Sequence, residues 1–407
     1  MGFKQFVTFV AAVMATNALA IDTMLPALPV MGQALHIVTE NQRQWIITAY
    51  LLGFGSAQIV YGTLSDRFGR RPVLLVALGL YTAFSAIAGF ADSFGVMLSA
   101  RVLQGVGAAG TRVLAVSIVR DRFAGRQMAR VMSLTLIVFL AVPIAAPSLG
   151  QLILRFAPWP GIFFLLALFG AVVMAWTVLR LPETLHPDDR LPIAAGRIVH
   201  AFAYALSQRK AVGYMLAMTA MLGGLFGYIN SVQQVFADVF HAPTWLPLCF
   251  GLTALFMAGS SLINARIVGR LGMHRVSHTA LCAYALVAGA HALLALRGMD
   301  TLAVFVVCQS LMLFCFGLVV SNFGAMAMEP LGHIAGTASS VQGFVTTVGG
   351  AALGFLVGQQ FDGTVVPVTV GFVAFALAAL LIVLITEKGR MFRSAPPAPA
   401  KPSAVPA

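Results

Sequence analysis

"YGTLSDRFGRRP", residues 61–72, puts four charged side chains into the six residues from Asp66 to Arg71, between two long apolar runs at 43–64 and 72–91. Each run is about twenty residues, the length a helix needs to cross a hydrocarbon core of ~30 Å. Working outward from this loop, further runs appear near 6–29, 95–118, 129–154 and 160–180 in the first half. The second half supplies 211–236, 245–267, 277–297, 301–327, 336–360 and 365–386. Twelve segments result. Hydrophobic residues make up 59% of the 407 and charged residues 9%, against roughly a quarter charged in a soluble domain. The expected fold class is an all-α membrane protein with twelve transmembrane helices.

The net charge of +12 raises the question of a nucleic-acid partner, and its placement answers it. Of the 25 Lys and Arg, Arg101 and Arg112 lie inside apolar segments, and Arg43, Arg155 and Arg297 lie in the loops of one side. The rest lie in the alternate loops and at both termini. That asymmetry is the positive-inside pattern, which predicts both termini in the cytoplasm. Trp45, Trp159 and Trp245 fall at the opposite helix ends, as interfacial Trp does. The basic charge orients the chain, and no nucleic-acid partner is expected. Lys4, an apolar run and "ALA" at 18–20 resemble a signal peptide, but the run continues to Pro29, so an uncleaved first helix is expected. Cys249, Cys282, Cys308 and Cys315 have unpatterned spacings; neither a disulfide framework nor a metal site is indicated.

The longest internal polar stretch, 181–210, divides the segments six and six. The expected organisation is a six-helix bundle at 1–180, a cytoplasmic linker at 181–210, a second six-helix bundle at 211–386, and a disordered tail at 387–407, Pro/Ala-rich toward its end. "DRFGRR" at 66–71 aligns with "GRLGMH" at 269–274, each after the second segment of its half. Such internal repeats are the plan of many secondary transporters.

These motifs resemble a known family. "YGTLSDRFGRRP" matches the loop 2–3 signature of the major facilitator superfamily, and "RVLQGVGAAG" (101–110) resembles its helix-4 motif. "DTMLPALP" (22–29) and "HIAGTASSVQGF" (333–344) resemble the narrower Bcr/CflA group of drug:proton antiporters, in the twelve-helix branch. In the loop, Gly62 permits close helix approach, Gly69 supplies a turn, Pro72 suits a first helical position, and Arg67, Arg70 and Arg71 hold the loop in the cytoplasm. The resemblance implies that Asp66 faces the N-terminus of the eleventh helix near Gly336, assisted by an arginine such as Arg120. On the residues alone, a merely orienting basic loop stays open. "VPIAAPSLGQ" (142–151) carries Pro143, Pro147 and Gly150 and resembles the superfamily's antiporter motif, with Val142, Ala146 and Gln151 replacing glycines.

Asp22 is the one acidic residue well inside an apolar segment, about seven residues or roughly 10 Å below the outer end. Intramembrane carboxylates are costly, usually face a cavity and commonly relay protons. Low dielectric disfavours the ionised carboxyl and a nearby cation favours it, so a site under both influences can titrate usefully. The bland alternative is a helix-breaking cap ahead of Pro26. Arg101 reaches a similar depth and could pair with Asp22. Together they form the expected proton-coupling site. Arg112, eleven residues on, returns to nearly the same helix face about 16 Å deeper; it lines the same cavity or snorkels to the cytoplasm.

The second half lacks a deep acid. Tyr228, Asn230, Gln233, Gln234, Asn264, Gln309 and Asn322 are its polar groups within segments. With Asp22, Tyr50, Arg112 and Phe226, the residues Tyr228, Asn230 and Gln234 are expected to line a mostly apolar substrate cavity, although each polar group could instead be a helix–helix contact. The expected function is proton-driven export of small amphipathic compounds, drugs included, by alternating access from the bacterial inner membrane. The alternative is a transporter for one metabolite, such as a sugar or amino acid. An enzyme is not expected, since no nucleophile–base cluster is present, and the duplicated plan disfavours a channel. Expected partners are small-molecule substrates, protons and the lipid bilayer, with no cofactor and a monomeric state.

Overall fold

The computed structural model describes residues 1–123, 125–190 and 195–392. Among them the regular structure is helical throughout. The helices are α1 (Phe3–Asp22), α2 (Leu28–Ala34), α3 (Trp45–Phe68), α4 (Arg70–Gly89), α5 (Phe94–Arg122), α6 (Gly125–Phe156) and α7 (Pro160–Arg180) in the first half. The second half has α8 (Ala195–Ser207), α9 (Arg209–Gln234), α10 (Leu246–Leu271), α11 (Met273–Leu296), α12 (Leu302–Met328), α13 (Ala335–Gly358) and α14 (Val366–Thr386). By length and composition, eleven helical spans among the described residues can cross a membrane, α1 and α2 together forming one. The 32-residue α6 adds a twelfth traverse, apolar over Ala141–Phe156. This is a multi-pass membrane protein of two six-helix bundles. The outward surface is apolar, with Leu168, Leu248, Leu286 and Val307 all exposed, as a lipid-facing belt requires.

Twelve alternating traverses bring the start of α1 and the end of α14 to one face, with the loops at 69, 123, 272 and 329–334. We call it the basic face. The linker helix α8 rests on α13 there, Phe202 meeting Phe344 edge-on at 5.9 Å. Of the expected tail, residues 393–407 lie outside the described residues.

The first traverse is broken where its carboxylate sits. Pro26 has no N–H to donate to the carbonyl of Asp22, four residues back, so α1 ends at Asp22 and the chain passes through a 3₁₀ turn, Leu25–Ala27, before α2 resumes. Gly150 of α6 fits against this break. A Cβ there would lie 1.9 Å from the Thr23 carbonyl oxygen, so only glycine lets α6 approach so closely. Pro147, buried, and Pro143 lie inside α6 one and two turns from this contact. The sequence pattern thus builds a close-packed wall beside Asp22.

Candidate functional site

A cavity of ≈ 670 Å³ lies between the halves. It is walled by Asn17 and Asp22 of α1, Phe54 and Gln58 of α3, Arg112 of α5, Pro143 of α6, Phe226 and Tyr228 of α9, Phe250 of α10, Phe316 of α12, and Thr346 and Thr347 of α13. Its rim on the basic face includes Asp66, Arg120 and Gly336. The opposite end is closed by a clamp of uncharged amides joining the two halves. Gln44 Nε2 donates to Gln234 Oε1 (2.6 Å) and to the Gly358 carbonyl (2.9 Å). Asn41 Nδ2 donates to the carbonyls of Gln359 (3.2 Å) and Phe361 (2.9 Å). Gln234 Nε2 returns a bond to Asn41 Oδ1 (2.8 Å), and Gln359 Nε2 donates to the Asn41 carbonyl (2.8 Å) and Gln44 Oε1 (3.2 Å). Trp45 lies against Phe355 beside it, ring centroids 4.1 Å apart.

Asp22 is only 5% exposed. Its carboxylate has no hydrogen bond or ion pair among the described residues, and the accessible part faces the cavity. A helix-capping carboxylate would bond nearby N–H groups, and Asp22 does not. Arg101 is fully buried, but no ion pair joins it to Asp22. Its Nε donates to the Ile46 carbonyl (3.0 Å) and its Nη1 to Gln104 Oε1 (2.5 Å), while its guanidinium stacks over Tyr50, 4.4 Å from the ring centroid. The polar contacts around Arg101 stop short of Asp22. Tyr50 OH donates to Asn17 Oδ1 (2.9 Å), five residues from Asp22 on α1, and Gln104 Nε2 donates to Ser85 Oγ (2.7 Å). Matching depth made pairing plausible, but helix rotation turns Arg101 toward α3 and α4.

Three residues expected on the cavity wall lie off it. The Tyr50 ring is buried beneath Arg101, Gln234 belongs to the amide clamp, and Asn230 is buried against Gly358 beside that clamp. Asp22, Arg112, Phe226 and Tyr228 do line it. Asn322 Nδ2 donates to Asn264 Oδ1 (2.8 Å), a helix–helix contact. Asn17, Gln58 and Phe250 are wall residues that the sequence reading missed. A further miss lies outside the cavity: Asp300, just before α12, folds back to pair with His291 Nε2 at 3.1 Å, both nearly inaccessible.

The loop motif is held within its own half. Asp66 Oδ1 accepts from Arg70 Nη1 (2.5 Å), whose Nε donates to Asp121 Oδ2 (2.8 Å). Glu183, just after α7, accepts from the backbone N–H of Arg70 (2.8 Å) and Arg71 (3.2 Å). Arg71 Nη2 caps the Val178 carbonyl (2.8 Å). Gly69, at φ 100°, lets the chain turn over that carboxylate. Gly62 lies beside Ser340 of α13. Arg67 is exposed at the end of α3. Asp66 shares the cavity rim with Gly336, but here its bond is to Arg70.

Comparison with known proteins adds the family. A profile described as Major Facilitator Superfamily matches residues 10–354. A bicyclomycin resistance protein homolog of Haemophilus influenzae is 29% identical over 353 residues, 85% of this chain and 87% of that one. Multidrug resistance protein MdtL of Salmonella paratyphi A is 28% identical over 350 residues, covering 85% and 86%. The crystal structure of the human organic anion transporter MFSD10 (TETRAN) superposes with a TM-score of 0.68 at 20% identity, covering 95% of this chain and 100% of that chain; at that identity it speaks for the fold alone.

Proposed function

This chain belongs to the Major Facilitator Superfamily, whose members are transporters rather than enzymes, and we propose that it exports small amphipathic compounds in exchange for protons. The observation that carries the reading is Asp22, a nearly buried carboxylate without a protein partner among the described residues, on the wall of a cavity between two helical bundles. A carboxylate in such a place is the usual means of relaying a proton within a membrane. The aromatic wall of Phe54, Phe226, Tyr228, Phe250 and Phe316 suits the apolar body of an amphipathic compound, and the relatives named for bicyclomycin and multidrug resistance favour drugs among the cargo. The basic face is the cytoplasmic one, so the conformation described is open inward in a bacterial inner membrane. Export then alternates between this shape and one in which the amide clamp is parted, with units 1–180 and 211–386 rocking about the cavity.

The test is proton release on substrate addition, measured with purified protein and a chemically varied panel of drugs. The wild type releases protons. Asp22→Asn is expected to release none and to lose proton-coupled transport, while its thermal unfolding stays at or above that of the wild type, because a burial cost has been relieved. Undiminished proton release by this variant would remove Asp22 from the mechanism.

A further inference from the structure

Charge is unevenly distributed along the cavity. Four charged side chains line it: Asp22 near the closed end, Arg112 midway, and Arg120 and Asp66 at the rim. Asp66 is already bound by Arg70. Neither Arg112 nor Arg120 has a hydrogen bond or ion pair among the described residues, so the lining carries two unmatched cations against one unmatched carboxylate.

Arg112 stands exposed to the cavity, and snorkelling does not account for it. Ten residues of α5, about 15 Å, separate it from the helix end at Arg122, beyond the reach of one side chain. Its guanidinium lies 5.8 Å from the Phe54 ring centroid, mid-way along the neighbouring helix α3 rather than down toward the basic face. Thr111 Oγ1 meets Thr16 Oγ1 at 2.8 Å, which fixes Arg112 about 10 Å below Asp22. A guanidinium offers five N–H donors in a planar fork that fits carboxylate and phosphate oxygens two at a time. Among the described residues the protein uses none of them.

From the location of this unused fork we propose that Arg112 is the docking group for an anionic headgroup, a carboxylate, sulfonate or phosphate, and that the transported class is amphipathic anions. The inference rests on the reading of this cavity as the transport site. The apolar body lies against Phe54, Phe226 and Phe316. A cationic compound entering from the basic face passes Arg120 and then Arg112 before it can reach Asp22, and is repelled at both. An anion meets the same two charges as attraction. Charge-assisted hydrogen bonds of this kind contribute roughly ten- to hundredfold in affinity.

The test uses three probes with one aromatic body: 1-naphthaleneacetate, 1-naphthaleneacetamide and the (1-naphthylmethyl)trimethylammonium ion. Equilibrium dialysis against purified protein in lipid nanodiscs gives each affinity. In the wild type the acetate is expected to bind at least tenfold tighter than the amide, and the ammonium ion most weakly. Arg112→Gln should bring the acetate to within about twofold of the amide without moving the amide itself, and Arg112→Lys should keep part of the preference. The proposal is overturned if the ammonium ion binds tightest, if none of the three binds, or if the acetate keeps its advantage in Arg112→Gln. The wild-type ranking alone decides should the variant not fold. Proton release measured with the same probes separates the two readings. Acetate binding through Arg112 without proton release would leave docking intact and remove proton exchange; proton-coupled transport confined to the ammonium ion would do the reverse.

Discussion

The loop at 66–71 and the loop at 269–274 turn on the same backbone and carry different charges. Gly69 has φ 100°, ψ 159° and Gly272 has φ 80°, ψ 152°, a region open almost exclusively to glycine. Each loop is faced by an acid that follows the last helix of its half. Glu183 receives the backbone N–H groups of Arg70 and Arg71, and Glu387 lies 3.7 Å from His274 Nε2. Beyond that the loops diverge. Where the first has Asp66 and Arg70, the second has Gly269 and Met273, and Glu387 turns instead to accept from Tyr214 OH at 2.7 Å. The shared turn serves the fold of both halves. The charges that can bias one conformation against another are concentrated in the first.

Alanine at the two turning glycines should break the comparison most severely. Either substitution forces that backbone on a residue with a Cβ, costing about 1–3 kcal/mol. At 69 the new Cβ also falls 2.4 Å from Glu183 Oε2 and must displace the carboxylate. Gly69→Ala is therefore expected to lower the thermal unfolding temperature of purified protein more than Gly272→Ala. Equal shifts would mean that the acid adds nothing to the turn.

A smaller difference is expected between Glu183→Gln and Glu387→Gln. Glu183 also accepts from the N–H groups of Thr184 and Leu185, four in all with those of Arg70 and Arg71, and such bonds are strongest to an ionised acceptor. Because the site is solvent-exposed, the loss is about 1 kcal/mol. A glutamine at 387 can still accept from Tyr214, so Glu387→Gln should unfold close to the wild type. Finding the larger loss at 387 would reverse the assignment of the stronger anchor.

The smallest effect belongs to Asp66→Ala. Arg70 remains held by Asp121 and Ser65, so the loop keeps its shape. What the variant removes is the contact with the start of α13 that the family resemblance implies for the outward-open state. A charge at a helix terminus contributes about 0.3–1 kcal/mol, and a contact biases two states only by its differential energy. Export should slow several-fold, with spin-label distances across the basic-face mouth shifted toward the open form. Gly269→Ala, which meets nothing within 4 Å, should leave those distances alone. An unchanged distribution in Asp66→Ala, with transport reduced, would assign Asp66 to folding rather than to gating.

Much of this is legible in sequence because a membrane penalises polarity so heavily. Twelve apolar runs, the basic loops and the isolated Asp22 all stand out against hydrocarbon. Helical spacing also brought Arg112 to the cavity. Spacing gives depth along one helix but not rotation against its neighbours, and so Arg101 was matched to Asp22 when its hydrogen bonds go to Ile46 and Gln104. The amide clamp left no local trace, since Asn41 and Gln359 are ordinary loop-end amides whose partners are 318 residues apart in the chain. Glu183 falls in the stretch expected to be linker, and nothing local marks Asp300; the partners of both come from chain that folds back on them.

The clamp has an electrical consequence. Its members, Asn41, Gln44, Gln234 and Gln359, carry no formal charge, and their partners are one another and backbone carbonyls. Parting them transfers no charge through the membrane potential, which does work of about 2.3 kcal/mol per elementary charge per 100 mV. Parting these amides is then electrically silent; beside them Glu40 and Arg43 face Asp238 of the other half, and only that charged part of the mouth is open to screening by salt. In the proposed cycle voltage would act through Asp22, Arg112 and whatever charge the cargo brings. An energised membrane would then drive the loaded carrier without pulling on the amide part of the seal.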